Sequence, residues 1–461
     1  MKKLPDIDPE GKRLPIKLDS TSNGEFAPVP LWPANREANR LAHESASAFS
    51  KKLGLSRRNF LVSSCGAAAT LLSFNAANAA AGRTGGFFDL PKDAALDESL
   101  ARVQVGPAKD EFIFDVQGHF IDTPKGNAKS AEVFVKDVFM DSDTDVMVLS
   151  FVPSSRDAEP VTIQAADAMR RVVDKLEGTH RLLLHGRVNP NQPGDLEGMD
   201  ELKEKWGVSA WKTYTQWGPD GRGFFLSDDV GIRFIEKARK LGVKNIAVHK
   251  GLPFGQQSYE HSQCSDIGVV AKRFPDVNFL IYHSGFVTGV PEQAYQPGRD
   301  GIDTLVSSLQ KNSVPPGSNV YAELGSTWRF LMRDPEQAAH ALGKLLLYVG
   351  ANNILWGTDS IWYGSPQDQI QAFRTFQIAP ALREKHGYLE ITPDLRAKIF
   401  GRNAAKVYGL SAADIKKYTS RDSISRERAT YLENPEPHFK TYGPRTRREF
   451  LQYLRLTSDP R

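Results

Sequence analysis

Eight short apolar runs, each followed by an amphipathic or polar stretch, predict an α/β chain folded as a (β/α)8 TIM barrel. Two further features agree. The runs occupy about 300 residues, the size of that fold, and His119, His249, His283 and Asp359 recur at their carboxyl ends, where such a barrel builds its chemistry. In order, the strands are EFIFDV (Glu111–Val116), DVMVLSFV (Asp145–Val152), RLLLHGRV (Arg181–Val188) and VSAWKTY (Val208–Tyr214). KNIAVH (Lys244–His249), VNFLIYH (Val277–His283), NVYAEL (Asn319–Leu324) and NILWGT (Asn353–Thr358) follow.

The intervening helices are marked by period and by stop signals. Asp229–Leu241 sets Ile232, Ile235, Ala238, Arg239 and Leu241 near one face and ends at Gly242, a left-handed cap. Asp266–Phe274 closes before Pro275. Asp334-Pro335 opens Glu336–Tyr348 with proline where its missing donor is harmless. The barrel is thus expected over residues 110–410, with a helical and loop extension at 411–461 packed outside it, where a subunit contact and a homo-oligomer are expected.

Ahead of the barrel, SRRNFLV (residues 56–62) precedes an uncharged small-residue run, Ser63–Gly82, that ends in Ala77-Asn78-Ala79 and Ala79-Ala80-Ala81. This resembles a twin-arginine signal peptide over residues 56–81. The resemblance implies export through the twin-arginine translocase and a periplasmic or secreted protein. The run is too short and too interrupted by Ser and Asn to span a membrane stably. Residues 1–55 are expected as a disordered extension unless translation starts downstream, and residues 82–109 as a linker. Cleavage would leave Cys264 as the sole cysteine, so packing and no disulfide would hold the fold.

The formal charge of +4 over 461 residues is uneven. Residues 1–58 and 411–461 each carry 11 basic and 7 acidic groups, leaving 37 basic against 41 acidic in residues 59–410. A mildly acidic central domain excludes nucleic acid as a partner and leaves a small-molecule substrate.

The strand ends also carry Gln117, Lys212 and Glu323. Only a closed barrel brings such distant residues to one rim, and the set reads as a metal site. The order His on strand one, His on five, His on six and Asp on eight resembles the amidohydrolase superfamily, in its amidohydrolase-related branch of metal-dependent hydrolases and decarboxylases. FDVQGHF (Phe114–Phe120), RFPDVNFLIYHSG (Arg273–Gly285), LWGTDS (Leu355–Ser360) and GRNAAKVYGL (Gly401–Leu410) carry that resemblance. It implies one divalent ion held by His119, His249 and Asp359, with Gln117 beside or on it. Zinc is the first expectation and manganese the oxygen-tolerant alternative. The family usually presents His-x-His on its first strand, and here Gln117 replaces the first imidazole with a neutral amide.

On this reading Asp359 accepts a proton from a water on the ion and returns it to the leaving group, while His283 orients the substrate carbonyl. Lys212 is read in three ways: carbamylated between two metals, an anchor for a substrate carboxylate, or a packed stem with a solvated head. Trp211, Tyr214, Trp217, Phe254, Tyr259, Trp328, Trp362 and Tyr363 suggest an aromatic-lined mouth, to which Arg187, His185, Arg329 and Glu323 add polar contacts. His261 and Cys264 lack a third ligand for a second metal. The expected function is hydrolysis of a C–O or C–N bond in a small cyclic or aromatic ester, lactone or amide. The alternatives are nonoxidative decarboxylation of an aromatic or unsaturated acid, and a non-catalytic binding protein with Gln117 as its scar.

Overall fold

The computed structural model describes residues 13–18, 21–120, 131–175, 180–253, 258–420, 422–439 and 441–457. Eight strands pair in parallel in chain order: β1 (Phe114–Gly118), β2 (Val146–Leu149), β3 (Leu182–Arg187), β4 (Ala210–Tyr214), β5 (Asn245–His249), β6 (Asn278–Tyr282), β7 (Val320–Glu323) and β8 (Ile354–Leu355). Closure comes from Val116 N–H donating to Trp356 O (3.0 Å) and Asp359 N–H to Gln117 O (2.9 Å), so the sheet rolls up as the expected (β/α)8 barrel. The first strand ends two residues beyond its predicted limit, because Gly118 still pairs with Leu149. The eighth is shorter than predicted, because the chain curls away to Asp359 at φ +58°.

Helix Asp229–Leu241 ends at Gly242 with φ +78°, as its sequence requires. Asp334 caps Pro335–Tyr348 by accepting from Gln337 N–H. Both helices bury apolar residues in the main core, Phe234, Ile235 and Ala238 from the first and Ala338, Leu342 and Leu345 from the second.

The departures from expectation lie outside the barrel. Of the expected disordered extension, residues 1–12 and 19–20 lie outside the described residues, and most of what is described is packed. Helix α1 (Pro33–Lys52) buries Ala34, Ala38, Ala42 and Ala46, a stripe repeating every four residues. It packs against α2 (Ser64–Ala80), whose small residues permit close approach. The run read as an export signal is therefore a buried helix here, with Cys65, Ala68, Leu71 and Phe74 inside the protein. The expected linker is likewise built in: Gly86–Phe88 pairs antiparallel with Phe376–Ile378, and Glu98–Val105 is helical. Among the described residues, no helix is long and apolar enough to cross a membrane.

Residues 13–18 and 21–32 form a strap on the carboxyl-end rim of the barrel. Ile16, Leu18 and Phe26 are buried in the main core, and the Phe26 ring meets Phe330 edge-on at 4.6 Å. Lys17 Nζ donates to Tyr363 O (2.7 Å) and Ser365 O (3.1 Å), and Arg329 donates to Lys17 O. The C-terminal extension holds the strap down: Ser22 N–H donates to Pro444 O (2.8 Å), and Thr21 Oγ1 meets Thr441 Oγ1 at 3.0 Å. Gly24, at φ +101°, leaves no room for a Cβ beneath the Tyr453 ring.

Candidate active site

Asp115 staples the first strand to the eighth. Its carboxylate accepts from Gln117 N–H (3.0 Å), Thr358 N–H (3.1 Å) and the Thr358 hydroxyl, which sets Gln117 and His119 opposite Asp359. His119 Nε2 lies 2.8 Å from Asp359 Oδ1, and Gln117 Nε2 donates to the same oxygen at 3.1 Å. Asp359 Oδ2 accepts from Asn23 of the strap (2.8 Å) and from the Ser326 hydroxyl, itself 2.7 Å from Tyr363 OH. Burial works to raise the Asp359 carboxyl, but the His119 hydrogen bond, His119 and His283 nearby and Ser326 outweigh it and hold the pKa at about 2. The group is an anion at neutral pH.

A second cluster lies on β5, on the residue after β6, and on the strap. The His249 and His283 rings meet edge-on at 4.6 Å, and His249 stacks on Tyr214 at 4.8 Å. His283 Nδ1 is 2.7 Å from Gly325 O and His249 Nε2 is 3.3 Å from Leu252 O, so each ring spends one N–H on a carbonyl. The other nitrogens, His249 Nδ1 and His283 Nε2, face Glu25 oxygens at 3.5 and 3.8 Å. A hydrogen bond is shorter, about 2.7–3.2 Å. Two ligands on a tetrahedral zinc stand about 3.3–3.5 Å apart, so the 3.5 Å separation falls at that spacing and the 3.8 Å one just beyond it, both longer than a proton bridge. Burial lowers both imidazoles, His283 to about 4, and keeps them neutral as ligation demands. Burial also pushes the Glu25 carboxyl up, to about 8, assisted by the nearby Asp359 charge.

Among the described residues, the group able to hold a metal is Glu25, His249 and His283. It shares only His249 with the expected set of His119, His249, Asp359 and Gln117. His119 and Gln117 direct their facing nitrogens at Asp359. His283, expected to orient substrate, is instead a ligand candidate.

Lys212 is fully buried on β4. Its ammonium sits 3.8 Å from the Tyr282 ring centroid and 4.7 Å from that of Tyr214, with no hydrogen-bond acceptor among the described residues. Burial brings its pKa down to about 8, against the pull of Glu25, Glu323 and Asp359. Glu323 is a positioning group and touches no open space. Its oxygens accept from His283 N–H (3.0 Å) and Gly325 N–H (2.5 Å), fixing a turn in which His283 and Ser284 have positive φ.

Other expected substrate contacts are differently employed. Arg187 is bound to Glu159 and Asp195, and Arg329 to Asp368. Trp328 is a core residue: its Nε1 donates to Gln369 O (2.9 Å) between Phe373 and Phe376. Trp217 is half-buried and its carbonyl accepts from Asn191. Trp362 remains beside the site, 5.9 Å from the His119 ring, while Phe254 lies outside the described residues. The residues missed from the sequence are Glu25, Asn23 and Ser326. For the first two, the sole signal was a run of apolar residues, Ile16, Leu18 and Phe26, flanking them in a segment without period.

Residues 114–410 match the family model Amidohydro_2, described as amidohydrolase. No curated protein matches the chain. Similar solved structures include 2,6-dihydroxybenzoate decarboxylase from Rhizobium, at 16% identity over 65% of this chain and 99% of that chain, TM-score 0.40. Another is 5-carboxyvanillate decarboxylase from Sphingomonas paucimobilis, at 14% identity over 65% of this chain and 99% of that one, TM-score 0.39. A third is dihydroorotase from Saccharomyces cerevisiae, at 9% identity over 67% of this chain and 86% of that one, TM-score 0.42.

Proposed function

The chain belongs to the amidohydrolase family, and on that premise we propose that it is a metal-dependent enzyme hydrolysing a C–O or C–N bond of a small organic ester, lactone or amide. The observation that carries this reading is the pair of neutral imidazole nitrogens and one carboxylate at metal-bridging separations, next to a carboxylate held anionic. The donors fit a divalent cation: His283 Nε2 is buried with no hydrogen-bond partner among the described residues, and two nitrogens with one oxygen suit zinc. Such an ion supplies Lewis acidity toward a carbonyl and a bound water that ionises near neutral pH.

The chain's own groups do the rest. His249 and His283 hold the cation, each fixed by the carbonyl on its far nitrogen. Asp359, held anionic, would take up the proton lost by the attacking water as one of its four donors gives way and return it to the leaving heteroatom, with His119 positioning it through their 2.8 Å contact. Burial beneath the strap keeps bulk water from these charges. The Trp362 ring, 5.9 Å from that of His119, sets a flat apolar surface beside these groups, which suits a cyclic substrate.

Lys212 favours a second reading, nonoxidative decarboxylation, because a buried ammonium without an acceptor suits a substrate carboxylate. Lactones, amides, esters and hydroxybenzoates tested side by side separate the two: hydrolysis consumes base, and decarboxylation releases carbon dioxide. In either case a carboxylate-bearing substrate carries a pH signature. Lys212 faces Glu25, Glu323, Asp359, His185, Tyr214 and Tyr282, and its charge is lost as pH rises through about 8. KM is expected to climb above that pH. Lys212→Met should raise KM by about ten- to hundredfold at pH 7, the worth of one charged hydrogen bond, and flatten the profile. An unchanged profile excludes Lys212 as the anchor.

A further inference from the structure

We propose that Glu25, carried by the N-terminal strap and not by the barrel, is a ligand of the metal ion, so that the strap completes the site; this rests on the metal-dependent reading above. The barrel by itself offers too little. Gln117 and His119 turn their nitrogens to Asp359, and the Asp359 oxygens are occupied by four donors. What the barrel turns toward the strap is a pair of neutral imidazole nitrogens, which by themselves give a dication neither a third ligand nor a compensating charge. Glu25 supplies both, with one oxygen 3.5 Å from His249 Nδ1 and the other 3.8 Å from His283 Nε2.

Its placement is built in. Asn23 Nδ2 donates to Glu25 Oε2 and to Asp359 Oδ2, each at 2.8 Å, while Asn23 Oδ1 accepts from Glu25 N–H at 3.0 Å. One amide thus indexes the strap carboxylate to the barrel carboxylate. Strap docking and ion binding are then linked, and each must strengthen the other by the same factor.

The test uses the full chain, with Zn2+ as the probe, in wild type, Glu25→Gln, His249→Ala and the remote control Glu37→Gln. Zinc affinity is measured by competition with a chromogenic chelator, and hydrogen exchange of residues 21–32 is followed with and without Zn2+. Matching melting temperatures of the metal-free proteins verify folding. Glu25→Gln is expected to weaken Zn2+ binding by at least about a hundredfold, more than the ~10–100-fold typical of an outer partner of a metal ligand. It is also expected to abolish the Zn2+-induced protection of the strap, with Glu37→Gln matching wild type. Wild-type affinity in Glu25→Gln together with loss in His249→Ala overturns the role of Glu25 and leaves the metal reading standing. Absence of Zn2+ binding by wild type overturns both.

Discussion

Asp359→Asn is expected to lower kcat by at least about a thousandfold, the scale of a lost general acid–base group, on whichever substrate of the panel is turned over. The carboxylate is anionic because the His119 hydrogen bond, the His119 and His283 rings nearby and the Ser326 hydroxyl outweigh its burial, and Gln117 and Asn23 also donate to it. An amide of the same shape keeps one acceptor and turns a second donor toward groups that are donors already. The variant therefore loses both the charge that moves the proton and the partner that orients His119. Stability falls by about 1–3 kcal/mol, the cost of a buried polar group left unpaired, and the barrel survives. Circular dichroism and a melting curve verify that, and a kcat within tenfold of wild type removes Asp359 from the chemistry.

Chelation carries the second large effect. Dialysis against a strong chelator should eliminate turnover, and stoichiometric Zn2+ or Mn2+ should restore it. A ligand that binds only the folded state stabilises it by about 4 kcal/mol at a thousandfold excess over its Kd. The metal-free enzyme should accordingly melt several degrees lower. Full activity after verified metal removal contradicts the mechanism and leaves the binding-protein reading or a metal-free reaction.

The barrel was legible because its signals are local. Alternating apolar runs, Gly242 closing a helix and Asp334-Pro335 opening another need no knowledge of distant residues. The rim chemistry was legible for a related reason: a strand end fixes where a side chain lies, so His119, His249, His283 and Asp359 could be placed together. Which of them pair was not, because the turn that aims His283 depends on Glu323 forty residues away. Arg187 illustrates the same limit, since its neutralisation by Glu159 depends on loop geometry. Glu25 was the hardest to find. Its segment has the composition of a tail, and its burial is imposed by Pro444, Thr441 and Tyr453 at the far end of the chain. Removal of a leader at Ala77–Ala81, as the export reading proposes, would put Glu25 on the severed piece, and the strap would then have to stay docked without a covalent tie.

The most direct measurement is a crystal structure of the full chain grown with Zn2+, with diffraction data on both sides of the zinc absorption edge. The account predicts a single anomalous peak at the carboxyl-end rim, within about 2.0–2.2 Å of His249 Nδ1, His283 Nε2 and a Glu25 oxygen. No peak at that rim, or a peak held by His119 and Asp359 with Glu25 remote, contradicts it.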